Sequence, residues 1–333
     1  MTCFLLIGLF ILCQAQNFCQ AQNFASFNDN SLHLANGIIE RKIVVEDGNI
    51  LTNSLKLNDN NFDLVSEKSK EFSLFIDGKY YDGQSGWTLA SFSKVNGNHQ
   101  GNGAVIKLQG KEDLSGIELQ ITYLLYPDLP VIRKRISILN QTGKEIMVES
   151  LDVENLIMNF NFVHAISYTN YGRQKKLGTY VGNWDDPVVA VHSYKHNSGI
   201  LLGNETPGVL KRTAYDTTHN NVEIGLTHKD QNYAFRKYIK SGEQWTSPFS
   251  FVIPYVDSCD PWKIMNTSLA DFVRRHMGLR IYETKSRPLM MYNNYYPFHD
   301  RFNDSLIIEL AREASKVGVS HFTLDCGWYT NHD

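Results

Sequence analysis

The residues best placed to do chemistry lie close to the C-terminus. Val319 to Leu324 is a short apolar run, and Asp325-Cys326-Gly327-Trp328 follows it directly. A strand that ends this way delivers a charged hydrogen-bond acceptor and a flat apolar ring to one tip. A second run, Pro288-Leu289-Met290-Met291-Tyr292, ends in Asn293-Asn294-Tyr295-Tyr296-Pro297. Two amides and an aromatic ring therefore sit at a second strand end. A plain turn competes with function at Asp325, since Asp-x-Gly often makes one. Rim packing competes with it at Trp328.

The elements between these two ends form one unit. Asn303 or Asp304 can cap a helix in which Leu306, Ile307, Leu310, Ala311, Ala314 and Val317 make a single apolar stripe. Gly318 is placed to end that helix, because glycine accepts the left-handed conformation beyond the last turn. The run Pro288 to Tyr292 is continuously apolar, as suits a parallel strand buried on two faces. Strand, helix and strand with tight connections is a βαβ unit, the opening of a (β/α) barrel. In such barrels chemistry lies at the C-terminal ends of the strands.

Upstream, from about Phe27 to Asp257, the chain reads as strands and turns. Ile117, Leu119, Ile121, Tyr123 and Leu125 alternate with polar residues, and Ile132, Ile136 and Ile138 alternate with Arg133, Arg135 and Ser137. Period two with one polar face predicts antiparallel strands packed on one side. Asp47-Gly48, Asp77-Gly78, Asn96-Gly97, Asn102-Gly103 and Ser241-Gly242 read as turns. Strands at this spacing predict a large β-sandwich with its own core. Asp260-Pro261 then caps a helix carrying Trp262, Met265, Leu269, Phe272, Val273 and Met277 on one face. It reads as a packing linker.

Weaker features carry blander readings. Asp185 and Asp186 precede a proline and read as a turn, since neighbours on a strand point opposite ways. His192 and His196 have four-residue spacing on a strand-like segment, and no metal is expected there. Arg133-Lys134-Arg135 and Lys175-Lys176 read as solvated charges. The formal net charge of −3 leaves no nucleic-acid footprint. Cys3 to Leu12 is an apolar segment too short to span a bilayer, and it reads as a signal peptide with cleavage after Ala15 or Ala21. The expected location is periplasmic or secreted, with no membrane partner. Away from the leader only Cys259 and Cys326 remain, so no disulfide framework is expected.

The ordered set of motifs resembles glycoside hydrolase family 36, the bacterial α-galactosidase or melibiase group. The resemblance rests on Gly242-Glu243 with Thr246-Ser247-Pro248, Tyr171-Gly172-Arg173 with Leu177-Gly178, Asp271 to Met277, Arg287 to Asn294, and Leu324 to Trp328. It runs from about Gly37 to the end. It implies a sandwich (a supersandwich), a linker helix and the first βαβ of a truncated (β/α)8 barrel. The expected parts are a signal peptide at 1–21, the sandwich at 25–257, the linker helix at 258–284 and the start of the barrel at 285–333.

The resemblance also implies a retaining hydrolase of terminal α-linked galactose or a related sugar, with no cofactor and with homo-oligomers of the complete enzyme. Retention needs an Asp nucleophile and an Asp acid/base. The family carries them after barrel strands four and six, beyond Asp333, so no catalytic residue is named and this chain alone is expected to be inactive. The substrate-binding residues implied are Asp325, Cys326, Trp328, Tyr295 and Asn294. Cys326 stands where the family has a second acid, and a thiol is a poor acceptor. Tyr295 stands where the family has a tryptophan, and Tyr296 where it has an acid. An α-N-acetylgalactosaminidase and a transglycosidase of the raffinose-synthase kind therefore stay open, as does a sandwich that binds sugar without catalysis. In the family's oligomers a sandwich loop can reach a neighbour's active site, and the Trp184 region is the candidate for it.

Overall fold

The computed structural model describes residues 24–66, 68–97, 101–160, 163–169, 172–177, 180–182, 186–278, 286 and 289–328. The apolar leader, Tyr171, Gly178, Trp184 and Asp185 lie outside them. The chain divides into two compact units, Met1–His276 and Met277–Asp333.

The first unit is a sandwich of antiparallel sheets. Strands β1 (Ala25–Asn28), β2 (Ser31–Ala35), β3 (Ile39–Glu46) and β4 (Asn49–Leu57) form a four-stranded meander. Next come β5 (Glu71–Ile76), β6 (Lys79–Asp82), β7 (Trp87–Asn96), β8 (Asn102–Gly110), β9 (Ile117–Tyr126), β10 (Leu129–Asn140) and β11 (Ile146–Ile157). The chain continues through β12 (Val163–Thr169), β13 (Gly172–Leu177), β14 (Tyr180–Gly182), β15 (Val188–Ser193) and β16 (Ser198–Asn204). It closes with β17 (Lys211–Asp216), β18 (Asn221–Leu226), β19 (Lys237–Ile239), β20 (Gln244–Thr246) and β21 (Ser250–Tyr255).

A ten-stranded sheet has the order β13-β12-β15-β16-β21-β10-β9-β8-β7, with β20 also pairing β10. A seven-stranded sheet has the order β14-β17-β18-β11-β5-β6, with β19 pairing β11. One apolar core spans all three sheets, from Leu34 and Ile43 through Leu74 and Val153 to Ile121 and Ile136.

Period two places this core. Leu119, Ile121, Tyr123 and Leu125 are all buried on one face of β9. The opposite face is not uniformly polar, as the alternation had suggested: Leu124 and Tyr126 are buried there too. A helix covers that face. It begins as α1 (Pro261–Ile264), passes through a π turn at Met265–Leu269 and ends as α2 (Ala270–His276). Asp260 caps it, its carboxylate accepting from Trp262 N at 2.9 Å. Phe272 is wholly buried and packs edge-on against Tyr126 (5.0 Å) and Phe251 (4.9 Å). The π turn lacks a sequence signature, but the Thr267 hydroxyl bonds back to Lys263 O at 2.8 Å, a competition that bends helices.

The basic run Arg133-Lys134-Arg135 is not a solvated face. Lys134 shares the inward face of β10 with Ile132, Ile136 and Ile138 and is fully buried. Its Nζ reaches Glu71 Oε1 at 2.5 Å and Glu154 Oε2 at 3.3 Å. Arg41 completes the group, with Nη1 2.8 Å from Glu154 Oε1 and Nη2 2.8 Å from Glu71 Oε2. Tyr123 Oη donates to Glu71 Oε1 at 2.7 Å, and Thr52 Oγ1 donates to Glu71 Oε2. Two cations and two carboxylates thus cancel where the three sheets meet. Burial pushes the Glu71 carboxyl up, but Arg41 and Lys134 outweigh it and hold it below the usual carboxylate range. On the other face of β10, Arg133 pairs with Glu205 (Nε to Oε1, 2.7 Å) and lies over Phe249.

Two expected turns are tight hairpins with positive φ at both central residues, Asp47-Gly48 (52° and 80°) and Asp77-Gly78 (49° and 78°). Asn102-Gly103 is not a turn but the start of β8, where a side chain at Gly103 would strike Tyr123 O.

Candidate functional site

The second unit contains the candidate residues. Strands β22 (Met291–Asn293) and β23 (His321–Thr323) run parallel, with Asn293 opposite Thr323 and the Tyr292 and Phe322 rings stacked at 5.2 Å. The parallel pairing matches the βαβ reading, although both strands are shorter than their apolar runs. Helix α3 (Tyr295–Phe298) is a single turn, and α4 (Asp304–Lys316) is the crossover helix. Asn303, rather than Asp304, caps α4 by accepting from Leu306 N at 3.0 Å. Its stripe holds as far as Ala314, which is buried, but Val317 is exposed. The expectation of burial on both faces of the first strand is corrected: Met290 and Met291 are exposed, because a two-stranded sheet with one crossover helix cannot cover both.

Asp325 lies at the C-terminal edge of this pair, two residues past β23. Its Oδ2 accepts from Asn293 Nδ2 at 2.7 Å and its Oδ1 from Cys326 N at 2.7 Å. The Asn293 bond, then the Cys326 amide, holds the carboxyl below its usual range, so it is an ionised acceptor at neutral pH. Asn294 is buried, and its Oδ1 accepts from Asp325 N at 2.8 Å. It therefore ties the two strand ends together, and its Nδ2 has no hydrogen-bond partner among the described residues. Asn293 Oδ1 in turn accepts from Tyr295 N at 2.8 Å.

Tyr295 does not end the strand but opens α3, half-buried, with its ring edge-on to His299 at 4.9 Å. Cys326 is exposed, and its backbone N–H donates to Asp325 Oδ1. Trp328 is exposed. Gly327 has φ +97°, and a Cβ there would lie 2.8 Å from Asp300 Cα, so only glycine fits the turn that carries Asp325 into Trp328. The sequence reading missed Asn293 as the positioning residue. Its signal was available, since it is the last residue of the neighbouring strand.

The other candidates take structural roles. His192 is buried with Nδ1 3.0 Å from Tyr255 Oη, and His196 stacks on Phe62 at 5.7 Å. Among the described residues no group of His, Cys, Asp or Glu is arranged to hold a metal ion. No described helix is long and apolar enough to cross a membrane.

No protein-family model matches the chain. It is 23% identical over 248 residues to α-galactosidase 1 of Pediococcus pentosaceus, covering 67% of this chain and 32% of that one. Its fold is similar to the α-galactosidase of Lactobacillus brevis, with a TM-score of 0.69 at 12% identity, covering 92% of this chain and 50% of the other. A family 36 α-galactosidase variant of Geobacillus stearothermophilus, AgaA in complex with raffinose, superposes with a TM-score of 0.66 at 13% identity, covering 91% and 51%. The chain therefore spans about a third of the curated relative and about half of these solved chains. The fold is that of the N-terminal portion of family 36 α-galactosidases, and the resemblance carried by the ordered motifs returns in these matches.

Proposed function

We propose that the chain is the N-terminal portion of an α-galactosidase-like glycoside hydrolase, and that β22, α4 and β23 open its barrel. The observation that carries this reading is Asp325, an ionised carboxylate held at the C-terminal edge of a parallel pair by Asn293 and the Cys326 amide. A sugar ring needs charged acceptors for its hydroxyls and a flat apolar wall for its C–H face. Asp325 supplies the first, and Trp328 and Tyr295 supply the second. Asn294 sets the strand ends and keeps one amide N–H pair for a ligand or water.

Hydrolysis with retention requires a nucleophile and an acid/base on opposite sides of the anomeric carbon. This reading gives the named residues binding roles and assigns no turnover to them. The raffinose complex of the Geobacillus relative supports an α-galactoside as the ligand class. Cys326 in place of a second acid favours a sugar with fewer hydroxyls to satisfy, such as N-acetylgalactosamine. The apolar leader supports export to the periplasm or the medium, which cell fractionation tests.

The deciding experiment has two arms. The purified 333-residue chain should release no aryl group from an aryl α-galactoside. Galactose or N-acetylgalactosamine should change an indole fluorescence signal that disappears in Trp328→Phe. Turnover in the first arm, or a response unchanged in Trp328→Phe, contradicts the reading.

A further inference from the structure

One cavity takes no part in the chemistry above. It opens on the outer face of the seven-stranded sheet, has a volume of about 290 Å³ and is lined by Phe75, Glu149, Ser150, His228, Lys229 and Asp230. Phe72, Leu74 and Ile76 enter the core, so Phe75 stands on the opposite face of β5. Ser150 is the cross-strand partner of Phe75 on β11. The β11–β5 register slips between Val148 and Ser150, so the extra residue, Glu149, joins Ser150 at the cavity wall. Bulges of this kind re-aim side chains and gather beside binding sites.

The polar groups here are anchored but incompletely used. Glu149 Oε2 accepts from Gly78 N at 2.6 Å, and its other oxygen has no protein partner among the described residues. Ser150 is 1% exposed, and its hydroxyl has no hydrogen-bond partner among the described residues. A buried hydroxyl left unpaired is costly. His228 Nε2 lies 3.0 Å from Asp152 Oδ2, and that carboxylate also accepts from Ser73 Oγ (2.7 Å) and Arg212 Nη1 (3.2 Å). An acceptor-only carboxylate accepts a hydrogen bond from Nε2, and Nδ1 is the ring atom left to meet a ligand hydroxyl.

We propose that this cavity binds one neutral hexose unit against Phe75, held through its hydroxyls by Ser150, Glu149 and His228. The volume is at the small end for ligand sites, about 300–1,000 Å³, which suits one ring rather than an oligosaccharide. Anions are opposed by the Glu149 and Asp230 carboxylates. Cations compete with Lys229, whose Nζ already lies 5.6 Å from the Phe75 ring centroid. A polyol, donating and accepting at each hydroxyl, satisfies the mixed set. This site is independent of the strand-edge reading, since every residue in it belongs to the sandwich.

The test titrates the full chain with methyl α-galactoside, methyl α-glucoside and choline, following the His228 ring resonances by NMR and heat by calorimetry. The sugars should bind with roughly millimolar affinity and shift the His228 ring, while choline should not. The double variant Glu149→Gln, Ser150→Ala keeps an acceptor for Gly78 N and removes one carboxylate charge and an unpaired hydroxyl, so it should fold. It should weaken sugar binding about tenfold or more, and Asp325→Asn should leave the His228 response intact. The proposal is overturned by a His228 ring unmoved by either sugar, by a response to choline in place of sugar, or by equal affinity in the double variant. Loss of the His228 response in Asp325→Asn alone would likewise overturn it.

Discussion

The sandwich encloses a cluster of four charged side chains with no exposure to solvent, whereas the second unit exposes Leu289, Met290, Met291, Leu324 and Trp328. Arg41, Glu71, Lys134 and Glu154 survive burial because each charge meets an opposite one within 3.3 Å and Thr52 and Tyr123 occupy further lone pairs. Such a group requires strands on every side to hold it. Two three-residue strands and one helix enclose far less, so their apolar surface stays open. The difference teaches that the two units draw on different resources. The sandwich supplies cooperative stability, and the strand edge supplies groups with unspent binding capacity.

The largest expected effect tests the buried charges. Lys134→Met leaves two carboxylates facing one guanidinium and should cost about 3–5 kcal/mol, read from urea unfolding. Replacing all four charges together by apolar residues should recover much of that loss. A single variant as stable as the wild type would show that the group does not hold the sheets together. The same group sets an acid limit. Because Glu71 is depressed in the folded state, its contribution is complete above the unfolded carboxylate pKa of about 4.3. It is lost as pH falls below that value. Wild-type stability should therefore drop in acid, with less drop in the four-fold apolar variant.

Hydrogen exchange sharpens the contrast. Amides of β22 and β23 should exchange at least about a hundredfold faster than those of β9 and β10. Comparable protection in both units would break the comparison. Next in size is Gly327→Ala, which forces a Cβ against Asp300 and should cost the second unit about 1–3 kcal/mol, with sandwich unfolding unchanged. Smallest is Asn293→Ala. It removes the hydrogen bond that most depresses the Asp325 carboxyl, so that carboxyl should titrate higher, towards its ordinary range, in carbon-detected NMR. An unmoved titration would show that Asn293 does not tune it.

Much of this was legible from residue order, but unevenly. The alternation in β9 and β10 located the core, and Asp260-Pro261 and Asn303 located the helix starts. Lys134 was legible by parity, since it lies two residues from both Ile132 and Ile136. A run of three basic residues usually marks a solvated face, and that signal masks the parity. Glu71, Glu154 and Arg41 carry no local sign of burial, for their partners lie on other strands. The Phe75 cavity depends on a register slip at Glu149, which no periodicity announces. At the strand edge, Asp325 stood out through its type and place, while the clamp from Asn293 and Asn294 needed the parallel register to be seen.

The most direct test is an amide-resolved NMR titration of the full chain with galactose, in wild type and Asp325→Asn. The account predicts saturable shifts at Asp325, Cys326 and Trp328 that vanish in the variant while the sandwich spectrum is kept. Shifts at those residues that persist in Asp325→Asn, or their absence at saturating sugar in the wild type, would contradict it.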